Sequence, residues 1–207
     1  MTTTSRSLLR FGIIAGPFYL GLGLIQAMVR DGFDLTRHPL SVLANGPGGW
    51  AQTLNFVLTG AMVIAAAVGV KRTLAPKPGG VSGALMIYGL SMVAAALFPA
   101  DPVDGFPVGT PEGMPTSIST RGMLHFVFGA LAFTSLGVAG LLAARRFWQS
   151  ARGLATLSLG AGLLVLGGFF GGFMIPGIGT LGIWASVVVG WAWLMALSLQ
   201  LQRTDHR

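Results

Sequence analysis

Apolar and polar positions alternate along this chain in long blocks. Four apolar blocks occupy residues 8–29, 51–70, 80–99 and 122–143, each near the roughly 20 residues that a helix needs to cross a bilayer. A fifth block, 153–202, carries no formal charge. As one helix it would be roughly 75 Å long, more than twice the bilayer core. It must therefore fold back, and Pro176 with its neighbouring glycines predicts the break within 174–182.

The resulting pattern predicts an all-α polytopic bundle of six transmembrane helices. The last two spans then cover 153–173 and 181–201, and residues 1–207 form a single integral membrane domain. The composition agrees, because only 9% of the residues are charged against about 25% in soluble domains. The chain contains no cysteine, which excludes disulfide and zinc-thiolate chemistry. We interpret the N-terminal run as a retained first span rather than a cleaved signal peptide.

The distribution of charge predicts an orientation. Ten of the thirteen basic residues fall on one side of the predicted spans: Arg6, Arg10, Lys71, Arg72, Lys77, Arg145, Arg146, Arg152, Arg203 and Arg207. Because Lys and Arg favour the cytoplasmic side, both termini are predicted to be cytoplasmic. The loops after spans one, three and five then face outward. The net charge of +7 is therefore a topology signal, and no basic patch interleaved with aromatic residues favours nucleic acid.

The first outward loop reads RDGFDLTRHPLSVLANGPGGW, residues 30–50. Within it, HPLSVLANG predicts one short interfacial helix, since Pro39 suits an early helical position and Asn45-Gly46 suits a stop. The second outward loop, 100–122, is rich in proline. Glycines spaced four apart, such as Gly12 and Gly16, let helices approach closely. Such glycines are used either for helix packing inside the bundle or for helix contacts between the subunits of a homo-oligomer.

Six polar residues are predicted to form an outward-facing polar site. They are Arg37, His38, Ser41, Asp101, Arg121 and His125. An ionisable residue inside a span is a functional candidate by default, and His125 lies in the fourth span. Arg37 and Arg121, with His38, are candidates to bind an anionic group, because guanidinium pairs with phosphate or carboxylate. Either histidine can instead be a neutral, hydrogen-bonded structural residue.

The chain resembles a known family at these residues. The segments FGIIAGPFYL, RHPLSVLANGPGGWAQTLNFVLTG and FPADP, and the His of RGMLHFVFGALAF, are similar to bacterial membrane proteins that contain the domain of unknown function 998. That resemblance covers nearly the whole chain. It implies six membrane helices and a bacterial cytoplasmic (inner) membrane, with no established activity to carry over.

A weaker resemblance is to the alkaline ceramidase-like membrane hydrolases. Those enzymes use Ser, Asp and His at the membrane boundary to hold a metal ion. Here Ser41, Asp101 and His125 supply similar types as catalytic candidates. His38, Asp101 and His125 are then the candidate ligands of a divalent metal such as zinc. The chain departs from that pattern because its sixth span contains no histidine, and His206 lies on the opposite, cytoplasmic side.

Three functional hypotheses remain open at this point. The first is a membrane protein that binds a lipid-like molecule or a small anionic amphiphile at its outward face. The second is a metal-dependent or His-based hydrolase acting on a lipid-like substrate. The third is a transporter, against which stands the absence of charged residues from the middle of every span. The expected partners are the lipid bilayer and an amphiphilic ligand, without nucleic acid.

Overall fold

The computed structural model of the protein describes residues 3–175 and 178–203. This part of the chain folds into six α-helices, which confirms the predicted all-helical class. They are α1 (Thr3–Val29), α2 (Trp50–Thr73), α3 (Val81–Leu97), α4 (Thr120–Phe147), α5 (Arg152–Met174) and α6 (Gly179–Arg203). All except α3 are long and apolar enough to cross a membrane. The 17-residue α3 is apolar but shorter.

Five of the six helices extend beyond their predicted spans, whereas α3 is shorter than the predicted 80–99. α4 continues to Phe147 instead of ending at 143, and Arg145 and Arg146 lie in its last turn. α2 likewise continues to Thr73. Positively charged side chains interact favourably with the partial negative charge at a helix C-terminus. The apolar pattern therefore located the apolar part of α2 and α4 but ended before their charged last turns.

The segment HPLSVLANG forms a 3₁₀ helix over Leu40–Ala44, rather than a longer helix that includes Pro39. Pro39 precedes the helix in an extended conformation. The Arg30 guanidinium donates hydrogen bonds to the carbonyl oxygens of Leu43, at 3.1 Å, and of Asn45. These bonds partner carbonyls that such a short helix cannot pair internally.

The predicted break in the last apolar block lies between α5 and α6. α5 ends at Met174 and α6 begins at Gly179. Pro176, on which that prediction rested, lies outside the described residues, as does His206.

The six helices form a closed ring. Each helix packs against its neighbours in chain order, and α6 returns to pack against α1. Glycines let the backbones approach: a Cβ on Gly140 would lie 2.9 Å from the Cα of Gly162, across the α4–α5 contact. Gly12 and Gly16 both face α6. The glycine spacing in the first span is therefore used for packing inside the ring.

The outer wall of the ring, on the side of the helices that faces away from the ring centre, is apolar, as expected for contact with lipid. Ile25, Leu90, Leu163 and Leu164 are each more than half exposed. Such an apolar surface would be costly in water. Together with the helix lengths, it indicates a multi-pass membrane protein.

Candidate functional site

A cavity of about 470 Å³ lies inside the helix ring, within one half of its length along the helix axes. It lies toward the ring end that carries residues 30–49, called here the first loop, and residues 98–119, called the second loop. Its lining comes from all six helices, the 3₁₀ helix and both loops; the helical part includes Tyr19, Phe56, Tyr88, Met92, His125, Phe126, Gly129, Phe133, Phe169, Trp184 and Trp191. The volume is typical of a small-molecule site.

Aromatic rings form much of the cavity wall. The ring of Trp191 lies 5.5 Å from that of Tyr19 and 5.6 Å from that of Tyr88, centroid to centroid. The opposite half of the helix ring is filled by side chains. There Trp193 is almost fully buried and donates a 2.9 Å hydrogen bond to Ser158 Oγ. The ring is therefore hollow at the loop end and packed at the other.

The cavity reaches the surface beside the start of α4. Met114 and Ile118 of the second loop and Phe126 of α4 line the cavity and are also exposed. On α4, a Cβ added to Gly129 would meet no atom within 4 Å. This side of the cavity thus combines an exposed apolar rim with open space behind it.

Arg37 joins the two loops above the cavity. Its Nε and Nη2 donate to the Asp104 carboxylate at 2.9 and 2.7 Å, and Nη2 also donates to Glu112. The hydrogen bond from Arg37, with a second from the Gly113 N–H, lowers the pKa of Asp104 to about 2. The same bonds from Asp104 and Glu112 raise the pKa of Arg37. Arg37 and Asp104 are consequently charged near neutral pH.

His38 is a buried residue whose two ring nitrogens are both used. Nδ1 accepts a 3.0 Å hydrogen bond from the Asp34 N–H, so Nε2 carries the proton and donates to the Asp104 carbonyl oxygen at 2.9 Å. Its ring also contacts Phe33 and Phe106. His38 therefore fastens the first loop to the second and leaves no nitrogen lone pair for a ligand.

Asp101 caps the N-terminus of α4. Its carboxylate accepts hydrogen bonds from the Ser119 N–H, at 2.9 Å, and from the Ser119 hydroxyl. Ser119 Oγ in turn accepts from the Gly122 N–H at 3.0 Å. A negative charge at this position interacts favourably with the helix dipole. Asp101 also lines the cavity.

His125 lies one turn inside α4. Its Nδ1 donates to the Phe98 carbonyl oxygen at 2.8 Å, which leaves Nε2 as the acceptor nitrogen of the neutral ring. This bond joins α4 to the end of α3. Neither Asp101 nor Ser41 is its partner in this contact, although all three residues line the cavity.

The structure thus places four of the six predicted residues at one cavity: Arg37, Ser41, Asp101 and His125. His38 is buried behind the loop contact, and Arg121 is exposed on α4 away from the lining. Among the described residues, no three His, Asp or Glu side chains lie close enough together to hold a metal ion. The predicted ligand set of His38, Asp101 and His125 is therefore not assembled in this geometry.

The aromatic lining was not foreseen from the sequence. Tyr19, Phe56, Tyr88, Trp184 and Trp191 stand within apolar runs, where they look like ordinary packing or interfacial residues. Phe56 and Trp184 lie in the halves of their helices nearest the two polar loops, but Tyr88 and Trp191 lie near the middle of theirs, so position along the spans gave no common signal. Trp184 adds a polar feature, because its Nε1 is buried and has no hydrogen-bond partner in the described part of the chain.

Other polar residues of the spans bond one another instead of lining a path. Gln26 Nε2 donates to Gln52 Oε1 at 2.9 Å, and Asn55 Nδ2 donates to the same oxygen at 3.2 Å. Thr59 Oγ1 then donates to Asn55 Oδ1. This seam fastens α1 to α2, and none of the four residues lines the cavity. These four residues therefore do not form a polar pathway of the kind that a transporter needs.

Comparison with known proteins identifies a family. A family model described as "Protein of unknown function (DUF998)" matches residues 13–200. No curated protein and no solved structure matches the chain, so the resemblance to alkaline ceramidase-like hydrolases stays a prediction. The family match covers all six helices except the first part of α1 and the last residues of α6. The chain therefore belongs to the DUF998 family, whose fold in this member is a helix ring with a hollow loop end.

Proposed function

We propose that this protein binds a lipid-like amphiphile, with the apolar part of the ligand inside the ring and its polar part below the two loops. The observation that carries the proposal is the cavity of about 470 Å³. Its deeper walls are aromatic and aliphatic, whereas Arg37, Ser41 and Asp101 line its loop end. A site that is apolar at one end and polar at the other matches an amphiphile.

In this proposal the loop end faces outward and the basic end faces the cytoplasm of a bacterial cell. Only three basic residues, Arg30, Arg37 and Arg121, belong to the loop end, as the positive-inside rule requires. The 3₁₀ helix then lies where the outward face of the cytoplasmic membrane meets water, and α3 crosses the bilayer with the other five helices. The exposed rim of Met114, Ile118 and Phe126 gives a ligand lateral access from the surrounding lipid.

The test is to fill the cavity without disturbing the ring. Gly129→Phe adds a ring where a Cβ meets no atom within 4 Å, on the wall of the cavity. Gly167→Phe is the matched control, because Gly167 also has no atom within 4 Å but is exposed on α5 and does not line the cavity. Native mass spectrometry of protein released from mild detergent then measures the retained lipid.

We expect wild type and Gly167→Phe to retain a bound amphiphile, and Gly129→Phe to lose most of it. Equal retention in all three proteins would place the bound lipid on the outer surface of the ring and contradict the proposal. A bound mass in none of them, even after addition of a single-chain lipid, would contradict it as well.

A hydrolase acting on a lipid-like substrate is the second candidate function. The observation that favours it is that Ser41, Asp101 and His125, the predicted catalytic residues, line the same cavity. Their described hydrogen bonds do not join them into a relay, since Asp101 binds Ser119 and His125 binds Phe98. A cleavage product that forms with wild type and not with His125→Ala, while that variant still retains lipid, would favour the enzyme.

A further inference from the structure

We propose that the basic end of the ring binds the phosphodiester headgroup of an anionic membrane phospholipid, such as phosphatidylglycerol. The site consists of Lys77, in the loop before α3, and Arg146, in the last turn of α4. These two residues are called here the Lys77–Arg146 pair. The pair lies at the opposite end of the ring from the cavity, so this second site does not depend on the amphiphile proposed above.

The basic end carries a large excess of positive charge. Nine of the ten basic residues that the sequence assigns to this end lie in the described part of the chain. Within that same part, every acidic residue belongs to the first or the second loop: Asp31, Asp34, Asp101, Asp104 and Glu112. Asp205 lies outside the described residues. Cations gathered at a membrane surface attract anionic lipid.

The fold brings two of these cations together from distant parts of the chain. Arg146 Nε donates a 3.4 Å hydrogen bond to the carbonyl oxygen of Lys77, 69 residues away. The stem of Arg146 lies along the loop before α3, since a Cβ on Gly79 would be 3.5 Å from Arg146 Cδ. The Lys77 ammonium is attached to the very residue that Arg146 contacts. Both positive charges therefore lie within one side-chain length of each other.

Both cations have donors to spare. Arg146 Nη1 and Nη2 and Lys77 Nζ form no hydrogen bond with the described part of the chain, and both residues are exposed. The Arg146 guanidinium lies 5.6 Å from the centroid of the Phe147 ring. The helix dipole favours Arg146 at the end of α4, but it does not account for Lys77 in a loop. Two neighbouring positive charges repel each other, and an anion between them turns repulsion into attraction.

A phosphodiester group matches this pair in charge and in hydrogen bonding. It carries one negative charge and two non-bridging oxygens, so one oxygen can accept from the guanidinium and the other from the ammonium. Charge-assisted hydrogen bonds of this kind are the strong ones, and both Arg and Lys bind phosphate in proteins.

The surroundings of the pair favour a lipid as the source of the phosphate. Arg146 ends a helix that is apolar enough to cross a membrane. Trp148 directly follows that helix and is 45% exposed, and tryptophan is enriched where membrane meets water. The joining segments at this end, 74–80 and 148–151, are short. A headgroup bound here would leave its acyl chains against the apolar outer wall of the ring.

The test uses Trp148 as a fluorescent reporter of the lipid beside this end of α4. Phosphatidylglycerol and phosphatidylcholine with identical brominated chains are compared in vesicles, because bromine quenches tryptophan fluorescence at short range. The background Trp50→Phe removes the most exposed tryptophan of the opposite end. The same background with Trp148→Phe gives the signal of the remaining tryptophans, which is subtracted. The difference yields the relative affinity of the two lipids beside Trp148.

A matched pair of double variants separates the site from general surface charge. Lys77→Gln/Arg146→Gln removes the pair. Arg10→Gln/Arg203→Gln removes two exposed cations from α1 and α6, on the opposite side of the ring. Lys77→Gln alone changes one exposed loop side chain and keeps the carbonyl that Arg146 contacts. It therefore tests the same direction with little risk to folding.

We expect the unaltered pair to prefer phosphatidylglycerol about fivefold or more at low ionic strength, and added salt to reduce this preference. Lys77→Gln/Arg146→Gln should lose most of the preference, and Lys77→Gln should lose part of it. Arg10→Gln/Arg203→Gln should keep it, and so should Lys77→Arg, which retains the charge.

Several results would overturn the site. Equal losses in the two double variants would show that the lipid responds to diffuse charge and not to the Lys77–Arg146 pair. Equal quenching by the two lipids before any basic residue is changed would also overturn it. Millimolar inorganic phosphate at constant ionic strength should leave the quenching by phosphatidylglycerol unchanged. Its displacement by phosphate would assign the pair to a soluble anion and contradict a lipid site.

Discussion

Arg37 and His38 are neighbours in the sequence, and both fasten the two loops together. Arg37 does so through the carboxylates of Asp104 and Glu112, whereas His38 does so through backbone groups of Asp34 and Asp104. The cost of burying His38 is offset because both ring nitrogens are hydrogen-bonded. The polar character of the first loop thus serves the loop–loop contact above the cavity as much as the cavity itself.

The pKa of Asp104 predicts how this contact responds to acid. The Arg37 bond lowers that pKa to about 2, below the roughly 3.9 of an unfolded aspartate. The stabilisation is therefore fully present above about pH 4 and is lost as the pH falls toward 2. We expect the difference in unfolding temperature between wild type and Asp104→Asn to stay constant from pH 8 to 5. It should shrink below pH 4.

Asparagine is a suitable replacement because Asp104 has a φ of +52°, a conformation that asparagine tolerates better than most residues. The measurement is thermal unfolding of both proteins in the same detergent across this pH range. A difference that already changes between pH 8 and 6 would point to a histidine, and would argue against Asp104 as the titrating group.

The residue types of the candidate site could be predicted from the sequence, but their partners could not. Arg37, Ser41, Asp101 and His125 are recognisable because polar residues are rare in this chain and these lie beside its spans. Arg37 and Asp104 are 67 residues apart, and no local sequence pattern predicts that they form an ion pair. For that reason the sequence presented Arg37 as an available anion-binding group, whereas the fold pairs it.

At the scale of elements, hydrophobic blocks predict helices well in a membrane chain, because unpaired backbone groups are too costly in lipid. Their ends are less predictable, since charged residues such as Arg145 and Arg146 continue a helix beyond the apolar block. The 3₁₀ helix was still harder to predict from the sequence. Its carbonyl partners come from Arg30 of the chain segment after α1, a tertiary contact that the HPLSVLANG pattern does not contain.

The α4–α5 contact gives a prediction at this scale. A Cβ on Gly162 would lie 2.8 Å from the Gly137 carbonyl oxygen, whereas a Cβ on Gly160, two residues earlier in α5, would meet no atom within 4 Å. We expect Gly162→Ala to lower the free energy of unfolding by about 1–3 kcal/mol, because the two helices must separate. Gly160→Ala should leave it unchanged or raise it by up to about 1 kcal/mol.

Reversible unfolding in mixed micelles measures both variants against wild type. Because the two substitutions are identical and share a helix, their difference isolates helix–helix approach from helix propensity. Equal effects of the two would mean that α4 and α5 do not approach closely at Gly162.

At the scale of the whole molecule, the closed ring explains why a cavity can persist in such an apolar protein. Each helix is held on both sides by neighbours, so the hollow half does not require a filled centre to keep its shape. The packed half, with Trp193 hydrogen-bonded to Ser158, fixes the spacing of the helices. The sequence indicated six helices, but neither their cyclic order nor the position of the cavity follows from hydropathy.

The orientation of the ring decides which leaflet can supply a ligand, and it can be measured directly. The chain contains no cysteine, so a single introduced cysteine is labelled without background. Val108 of the second loop and Trp148, which follows α4 at the basic end, are both exposed apolar residues. The concentration of basic residues at the Trp148 end predicts that this end is cytoplasmic. A membrane-impermeant maleimide added to intact cells should therefore label Val108→Cys, and should label Trp148→Cys only after permeabilisation. The reverse pattern would place the cavity toward the cytoplasm and make the inner leaflet the source of its ligand.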